Sequence, residues 1–163
     1  MNIFILDTDL KLNAQSYCDK HLVKIILEIG QMMCTVVNEM GVISPYKTTH
    51  KNHPCTKWLF ENGANWDLLF NLVTELNNEY KERFNHTKNH KSYDVILNLV
   101  KPNYSNNSFN GMFNSVTDEI RRTNIVDTIK YYREYYKSKS KTMEMKWSKR
   151  NAPSWIWYYV YCT

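Results

Sequence analysis

The sequence lacks a long hydrophobic run and a paired cysteine motif. It contains no apolar stretch of about eighteen residues and no charged segment leading into an apolar one, so neither a transmembrane helix nor a secretion signal is expected. The four cysteines show no paired spacing, and two of them fall inside a helical pattern, where they are typical of core positions. We therefore expect an intracellular protein in a reducing compartment.

Signatures of several enzyme classes are missing as well. The chain has no glycine-rich phosphate loop, no dinucleotide-binding fingerprint, no exposed-nucleophile serine motif and no internal repeat. His50, His53 and Cys55 stand close together, but no second cluster with ligand spacing completes a metal site. We expect no metal ion.

What is present is an aromatic and moderately basic chain of one-domain length. Its 163 residues fit a single domain, residues 1–163, around one core. A hydrophobic fraction of 43% and an aromatic fraction of 14% indicate a folded protein. The net charge of +5 is compatible with a polyanionic partner but too small to establish one. The cations are concentrated between residues 130 and 150.

The strongest helical pattern lies in the first quarter of the chain. Apolar residues recur there at steps of three and four, which predicts one amphipathic helix from about Leu10 or Leu12 to Met40. The predicted buried stripe comprises Cys18, Leu22, Ile25, Ile26, Ile29, Met33, Val36 and Val37. The apolar run 2–6 before it is either a buried strand or an extended arm packed on helices, and Asp7 or Asp9 is the expected cap.

A second, polar stripe runs beside the apolar one on the same helix. It consists of Tyr17, His21, Lys24, Glu28, Gln31 and Thr35. Proton transfer and imine chemistry need an acid or base and a nucleophilic nitrogen within hydrogen-bond reach of each other. His21, Lys24 and Glu28 supply these groups. A solvated helix face, with Lys24 and Glu28 as an ordinary surface pair, is the more common origin of such a stripe and is the favoured alternative.

Residues 42–57 form a predicted loop dense in polar side chains. As a nucleic-acid contact, Tyr46 would stack on a base, and phosphates would meet Lys47, His50, Lys51, His53 and Lys57. The alternative is a plain solvated loop whose Pro54 begins the next helix.

The rest of the chain also favours helices. We predict helical turns at Trp58–Glu61, a long helix at 64–84, a short helix at 93–101, a loop at 103–116 and a helix at 118–137. Glu79 and Arg83 are expected to form a surface or interhelical pair. The prediction is a mainly α protein: a compact single-domain helical bundle with a short extended N-terminal segment and long polar loops.

Cations and aromatic rings alternate in the C-terminal stretch 146–161. Such a mixture, which includes Lys149, Arg150 and Trp155, is what a groove for unstacked bases and their phosphates needs. An equally good explanation is that the aromatic rings pin the tail to the core.

Two of these stretches resemble a known family. Asp19-x-His21-Leu22, with Glu28 seven residues after the histidine, resembles the first-helix signature of the pyrimidine dimer DNA glycosylases of the phage endonuclease V type, which are small all-helical proteins. The tail from Lys149 to Tyr159 is similar to the Lys-Arg-Pro-Thr-Trp-Tyr-x-Tyr-Tyr ending of that family. The segments Asn-Ile-Phe-Ile-Leu-Asp, Asp-Lys-His and His-Lys-Asn-His-Pro-Cys also resemble small viral proteins of unassigned function, which would place the chain in a host-cell cytoplasm.

The resemblance implies a site and a chemistry. Glu28 corresponds to the catalytic carboxylate and His21 to a histidine near the DNA backbone, and the aromatic tail would lie on the DNA. The implied reaction displaces a damaged or modified base of duplex DNA by an amine, forms an imine with the opened sugar and cleaves the strand by β-elimination, without a cofactor. Tyr17, Lys20 and Gln31 would lie near the substrate.

The sequence departs from the family pattern at the attacking amine and at two arginines. The family attacks with the α-amine of an N-terminal threonine, whereas Met1 precedes Asn2 here, and Leu27 and Gln31 stand at the arginine positions. The amine must come from Met1, if the arm folds back, or from Lys24, whose pKa would fall on desolvation. Two alternatives stay open: an enzyme acting on a free or modified nucleotide, and a non-catalytic nucleic-acid-binding protein.

Overall fold

The computed structural model of the protein describes residues 2–107, 112–114 and 121–161, which are mainly helical. The helices are α1 (Leu10–Ser16), α2 (Asp19–Glu39), α3 (Pro54–Glu61), α4 (Gly63–Phe84), α5 (Lys91–Leu97), α6 (Ile125–Ser140) and α7 (Ser154–Tyr161). Two short strands, β1 (Met112–Asn114) and β2 (Arg121–Thr123), pair antiparallel with Phe113 opposite Arg122. The predicted mainly α fold is confirmed.

Helix α2 is the centre of the molecule. It packs against α3, α4 and α5, and every member of its predicted apolar stripe is buried. Gly30 permits the close approach of α5, because a β-carbon there would lie 3.2 Å from the β-carbon of Ser92. The sequence pattern therefore identified both the helix and its buried face.

The prediction of one helix from residue 10 to residue 40 is wrong, because the chain breaks after Ser16. Tyr17 and Cys18 are extended, with ψ angles of 134° and 160°. Tertiary partners satisfy the backbone groups that the break releases: the Cys18 N–H donates to the hydroxyl of Tyr136 at 2.9 Å, and the Tyr17 carbonyl accepts from Arg83. Apolar periodicity continues across the break, so the sequence pattern does not reveal it.

Residues 3–6 form a buried extended arm rather than a strand. Asp9 caps α1 by accepting from the Leu12 N–H, as one of the two expected caps. The arm pairs with no strand among the described residues, so side chains satisfy its backbone. Asn13 accepts from the N–H groups of Leu6 and Asp7, and Tyr17 bonds both backbone groups of Phe4.

A buried ionic network joins α4 to the α1–α2 junction. The guanidinium of Arg83, whose side chain is fully buried, contacts Glu79 at 2.7 Å and Asp19 at 3.3 Å and also donates to the carbonyl of Gln15. Arg150 reaches the same Glu79 carboxylate at 2.8 Å. Glu79 and Arg83 therefore pair within α4, the contact with Asp19 makes the interaction interhelical, and the surface alternative is wrong.

Two predicted helix boundaries and two predicted segments in the second half of the chain need correction. Helix α5 ends at Leu97 rather than 101, and α6 begins at Ile125 rather than 118, because Asn124 caps it by accepting from the Asp127 N–H. Residues 112–114 and 121–123 are strands, so the predicted 103–116 loop and 118–137 helix each contain a strand in their described parts. The stretches 108–111 and 115–120 lie outside the described residues.

The structure bears on the cysteines and on the predicted absence of a transmembrane helix. Cys18, Cys34 and Cys55 are buried and form no disulfide among the described residues, and Cys162 lies outside those residues. No helix in the described ranges is both long and apolar enough to cross a membrane.

The buried network predicts an unequal response of two carboxylates on α4. Glu79→Gln should lower the free energy of unfolding by about 3–5 kcal/mol, because it removes the buried carboxylate that two buried or half-buried guanidinium groups share. Asp67→Asn removes only an exposed pair with Lys101 and should cost about 1 kcal/mol or less. Urea unfolding of both variants measures the difference, and equal losses would contradict the structural role of the network.

Candidate active site

The N-terminal arm returns to the carboxylate of Glu28. The backbone N–H of Asn2 donates to Oε2 of Glu28 at 3.2 Å, and Nζ of Lys24 lies 3.5 Å from Oε1. Glu28 is buried, whereas the side chain of Lys24 is 66% exposed. The carboxylate is therefore held between the start of the chain and a solvent-facing lysine.

Tyr17 fixes the arm in this position. Its hydroxyl accepts from the Phe4 N–H at 2.9 Å and donates to the Phe4 carbonyl at 2.7 Å. Burial raises the pKa of Tyr17 well above its ordinary value, so the phenol stays protonated and keeps its donor. Although the sequence placed Tyr17 near substrate, it is fully buried and its hydroxyl bonds the arm.

Most of the predicted polar stripe on α2 is buried. Tyr17, His21, Glu28 and Thr35 are buried, Gln31 is half-buried, and Lys24 and the neighbouring Lys20 are exposed. The favoured explanation, a solvated helix face, is therefore wrong for this stripe. A buried polar side chain needs a hydrogen-bond or ionic partner, and such partners hold the buried side chains of this stripe in fixed orientations.

His21 is a neutral imidazole in this environment. Its Nδ1 lies 2.9 Å from the hydroxyl of Tyr136, and its ring contacts Phe4 with centroids 5.2 Å apart. Burial, with a smaller effect from the cations of Lys24 and Lys139, lowers the pKa of His21 to about 4. At neutral pH the ring therefore carries one proton.

The loop 42–53 is docked on α2 rather than plainly solvated. The hydroxyl of Thr35 donates to the Thr49 carbonyl at 3.0 Å and accepts from the Thr49 N–H at 3.1 Å, and Asn38 donates to the Tyr46 carbonyl. His53 then caps α3, as its Nδ1 accepts from the Cys55 N–H, and Pro54 begins that helix as predicted. Burial lowers the pKa of His53, and the negative charge of Glu28 partly offsets this shift.

Tyr46, Lys47 and His50 are further loop residues that were predicted to contact nucleic acid. The hydroxyl of Tyr46 lies 3.0 Å from that of Ser92, and its ring borders an open cleft of about 710 Å³. Lys47 and His50 are exposed, and Nδ1 of His50 is 2.6 Å from the Thr49 hydroxyl. The cleft is lined by Leu27, Tyr46, Tyr80, Lys88, Asn89, His90, Lys91, Ser92 and Asp94.

The predicted cations of the tail bind protein carboxylates and carbonyls. Arg150 contacts Glu79 and Glu82, each at 2.8 Å, and Lys149 donates to the Glu82 carbonyl and the Asn85 side chain. Trp155 is half-buried, with its ring edge-on to Tyr136. This part of the tail is pinned to the core, while Trp157, Tyr158 and Tyr161 on α7 are exposed.

The residues just before the tail motif contact the start of α2. The carboxylate of Asp19 accepts from the Ser148 N–H and, at 2.6 Å, from its hydroxyl, and the Asp19 N–H donates to the Lys146 carbonyl. Trp147 donates from its indole nitrogen to the Ser16 carbonyl at 3.1 Å. Asp19 therefore fastens the tail to the start of α2, next to His21.

Sequence reasoning missed several residues of this site. Asn2, Phe4, Asn13 and Tyr136 were not singled out as site residues. A buried asparagine on a short helix is the one usable signal, because Asn13 must bond something in the core. Within the described ranges no three His, Cys, Asp or Glu side chains are grouped to hold a metal ion.

The low pKa of His21 predicts how stability depends on pH. The unfolded chain takes up a proton near pH 6.5 and the folded one near pH 4, so the unfolded state binds more protons in this window and stability falls as the pH falls through it. Between pH 7 and pH 4 the wild type should lose about 3 kcal/mol more unfolding free energy than His21→Gln. Parallel losses in denaturant titrations of the two proteins would contradict the neutral buried imidazole.

Comparison with known proteins identifies the family. A sequence profile described as pyrimidine dimer DNA glycosylase matches residues 1–92, more than half of the chain, and this part contains the arm, α1 to α4, Glu28 and His53. Searches of curated proteins and of solved structures gave no match. On the profile match, this chain belongs to the pyrimidine dimer DNA glycosylase family.

Proposed function

We propose that this protein is a DNA glycosylase and abasic-site lyase that removes a damaged or modified base from duplex DNA. One observation carries the proposal: the N–H of Asn2 lies 3.2 Å from the carboxylate of Glu28. The family reaction needs an amine at the start of the chain beside a catalytic carboxylate, and the folded-back arm provides that proximity. The family profile supports the same conclusion at the level of reaction class.

The α-amine at the start of the chain is the better nucleophile. An ordinary α-amine has a pKa of about 8 and is about one-tenth neutral at pH 7, whereas less than about one-thousandth of an ordinary lysine is neutral. The sequence-based case for Lys24 depended on desolvation, and its side chain is 66% exposed. Lys24 is instead suited to neutralise Glu28 before substrate arrives and to meet a phosphate afterwards.

Glu28 would act as the general base and then as the general acid of the reaction. As the amine nitrogen bonds to C1′ of the sugar, the base leaves with the electron pair of the glycosidic bond and takes up a proton from solvent. The carboxylate accepts the proton that the nitrogen loses and returns it to the ring oxygen as the sugar opens, which gives an imine. Loss of a C2′ proton then expels the 3′ phosphate by β-elimination.

The surroundings of this carboxylate suit an extruded nucleotide. The site lies inside a folded protein, so a base in duplex DNA must be flipped out to reach it. Lys20, Lys24 and Lys47 and the rings of Trp157, Tyr158 and Tyr161 on α7 are exposed, and such groups are suited to phosphate and stacking contacts. His50 and His53 would lie on the loop side of the same substrate.

Exchange of the carboxylate tests the proposal. Glu28→Gln should reduce cleavage of a duplex containing an abasic site at least about 100-fold with binding almost unchanged, because the general acid–base is lost. Glu39→Gln is the matched control, since Glu39 is an exposed carboxylate on the same helix, paired with Lys51. Single-turnover cleavage and binding titrations measure both effects, and full activity of Glu28→Gln would rule out the assignment.

Chemical trapping identifies the amine. Borohydride reduction during reaction with the abasic duplex should give a covalent adduct, which peptide mapping places at the first residue. The adduct should persist in Lys24→Ala and disappear when the N-terminus is acetylated. An adduct at Lys24 would transfer the nucleophile to that side chain, and no adduct with intact binding would leave a non-catalytic DNA-binding protein.

The cleft beside α2 favours a second candidate function, turnover of a free or modified nucleotide. Leu27 stands where the family has an arginine and lines this cleft of about 710 Å³, a volume in the range of small-molecule sites. A small substrate needs fewer phosphate contacts than a duplex, which would account for the missing arginines. Release of base from a nucleotide without any duplex would favour this function over the first.

A further inference from the structure

The hydroxyl of Tyr136 lies at the point where α1 ends and α2 begins. This tyrosine comes from α6 and is fully buried. Its oxygen is 2.9 Å from the Cys18 backbone nitrogen and 2.9 Å from Nδ1 of His21. One hydroxyl therefore contacts both the cap of the helix and the imidazole.

The donors and acceptors around this hydroxyl can be assigned. The Cys18 N–H can only donate, so the Tyr136 oxygen accepts from it. The phenol has one hydrogen, and Nδ1 of His21 is the acceptor within 2.9 Å; the neighbouring Cys18 sulfur is a weaker acceptor than an imidazole nitrogen. If Nδ1 carried the proton instead, the buried phenol hydrogen would lose this partner.

Neighbouring rings hold the phenol in this orientation. Tyr136 makes edge contacts with Phe4 of the arm and with Trp155 of α7, with centroids 5.2 Å and 6.0 Å apart. His21 itself packs against Tyr136 at 5.1 Å. The hydroxyl is therefore directed by contacts from the arm, α2 and α7 together.

We infer that Tyr136 is a positioning residue that fixes His21 as the tautomer protonated on Nε2. His21 then presents an N–H donor, not a base, and the ligand that suits it is an oxygen acceptor such as the phosphate or sugar oxygen of a nucleic acid. The tautomer follows from the hydrogen bonds alone, whereas its use on substrate rests on the proposed function.

Nitrogen-15 NMR of the imidazole tests the tautomer directly. In the wild type at pH 7.5, long-range proton–nitrogen correlations should show His21 protonated on Nε2. Tyr136→Phe should shift a substantial part of the population to the Nδ1 form, while Tyr132→Phe, one turn earlier on α6 and also buried, should leave it unchanged. An Nδ1-protonated wild type, or a population unaffected by Tyr136→Phe, would overturn the inference.

A pair of His21 variants tests the donor role and does not require the tyrosine variant to fold. The amide nitrogen of glutamine reaches the place of Nε2, whereas that of asparagine reaches only the place of Nδ1. His21→Gln should keep at least ten-fold more abasic-site cleavage than His21→Asn. Equal losses would contradict the donor role, and an inactive wild type with the Nε2 tautomer would refute the proposed function while the tautomer stands.

Discussion

The backbone of an extended arm that is buried without a neighbouring strand must hydrogen-bond to side chains. The geometry of the site depends on these hydrogen bonds, because they position the arm. Two side chains provide these hydrogen bonds. Asn13 bonds the backbone of Phe4, Leu6 and Asp7. Tyr17 bonds both polar backbone groups of Phe4. Both belong to α1 or its end, so α1 and the arm form one unit. These hydrogen bonds fix the position of the arm along α1, and the N–H of Asn2 at the beginning of the arm therefore lies beside Glu28 of α2.

The break between α1 and α2 follows from the same constraint. If the helix continued, Tyr17 would lie on the α2 surface and its hydroxyl would not meet Phe4. The break turns Tyr17 towards the arm and exposes backbone groups, which Arg83 and Tyr136 satisfy from α4 and α6. Asp19 adds the tail to this junction through Ser148. Residues 146–148, which lead into the tail motif, thus meet the start of α2 at this junction, and Asp19 has a structural role beside the proposed functional one of His21.

The sequence predicts what depends on local pattern and misses what depends on distant partners. The buried face of α2, the helix at residues 63–84 and the proline start of α3 follow from periodicity and capping alone. The burial of the polar stripe does not, because its partners lie as far away as Tyr136. Arg150 was predicted to meet phosphate for the same reason: a basic motif does not reveal that Glu79 of α4 faces it.

The replacement of two family arginines by Leu27 and Gln31 changes the electrostatics of the proposed reaction. A buried carboxylate without adjacent arginines needs another cation, and Lys24 is 3.5 Å from it while remaining solvent-facing. Because the Lys24 ammonium lies in water, solvent screens its pair with Glu28 and makes it weaker than a fully buried pair. In the proposed reaction, an arriving phosphate would draw Lys24 away, and the Glu28 carboxylate would then accept the proton from the amine. A rigid arginine, held in a bidentate pair, would not release the carboxylate as readily.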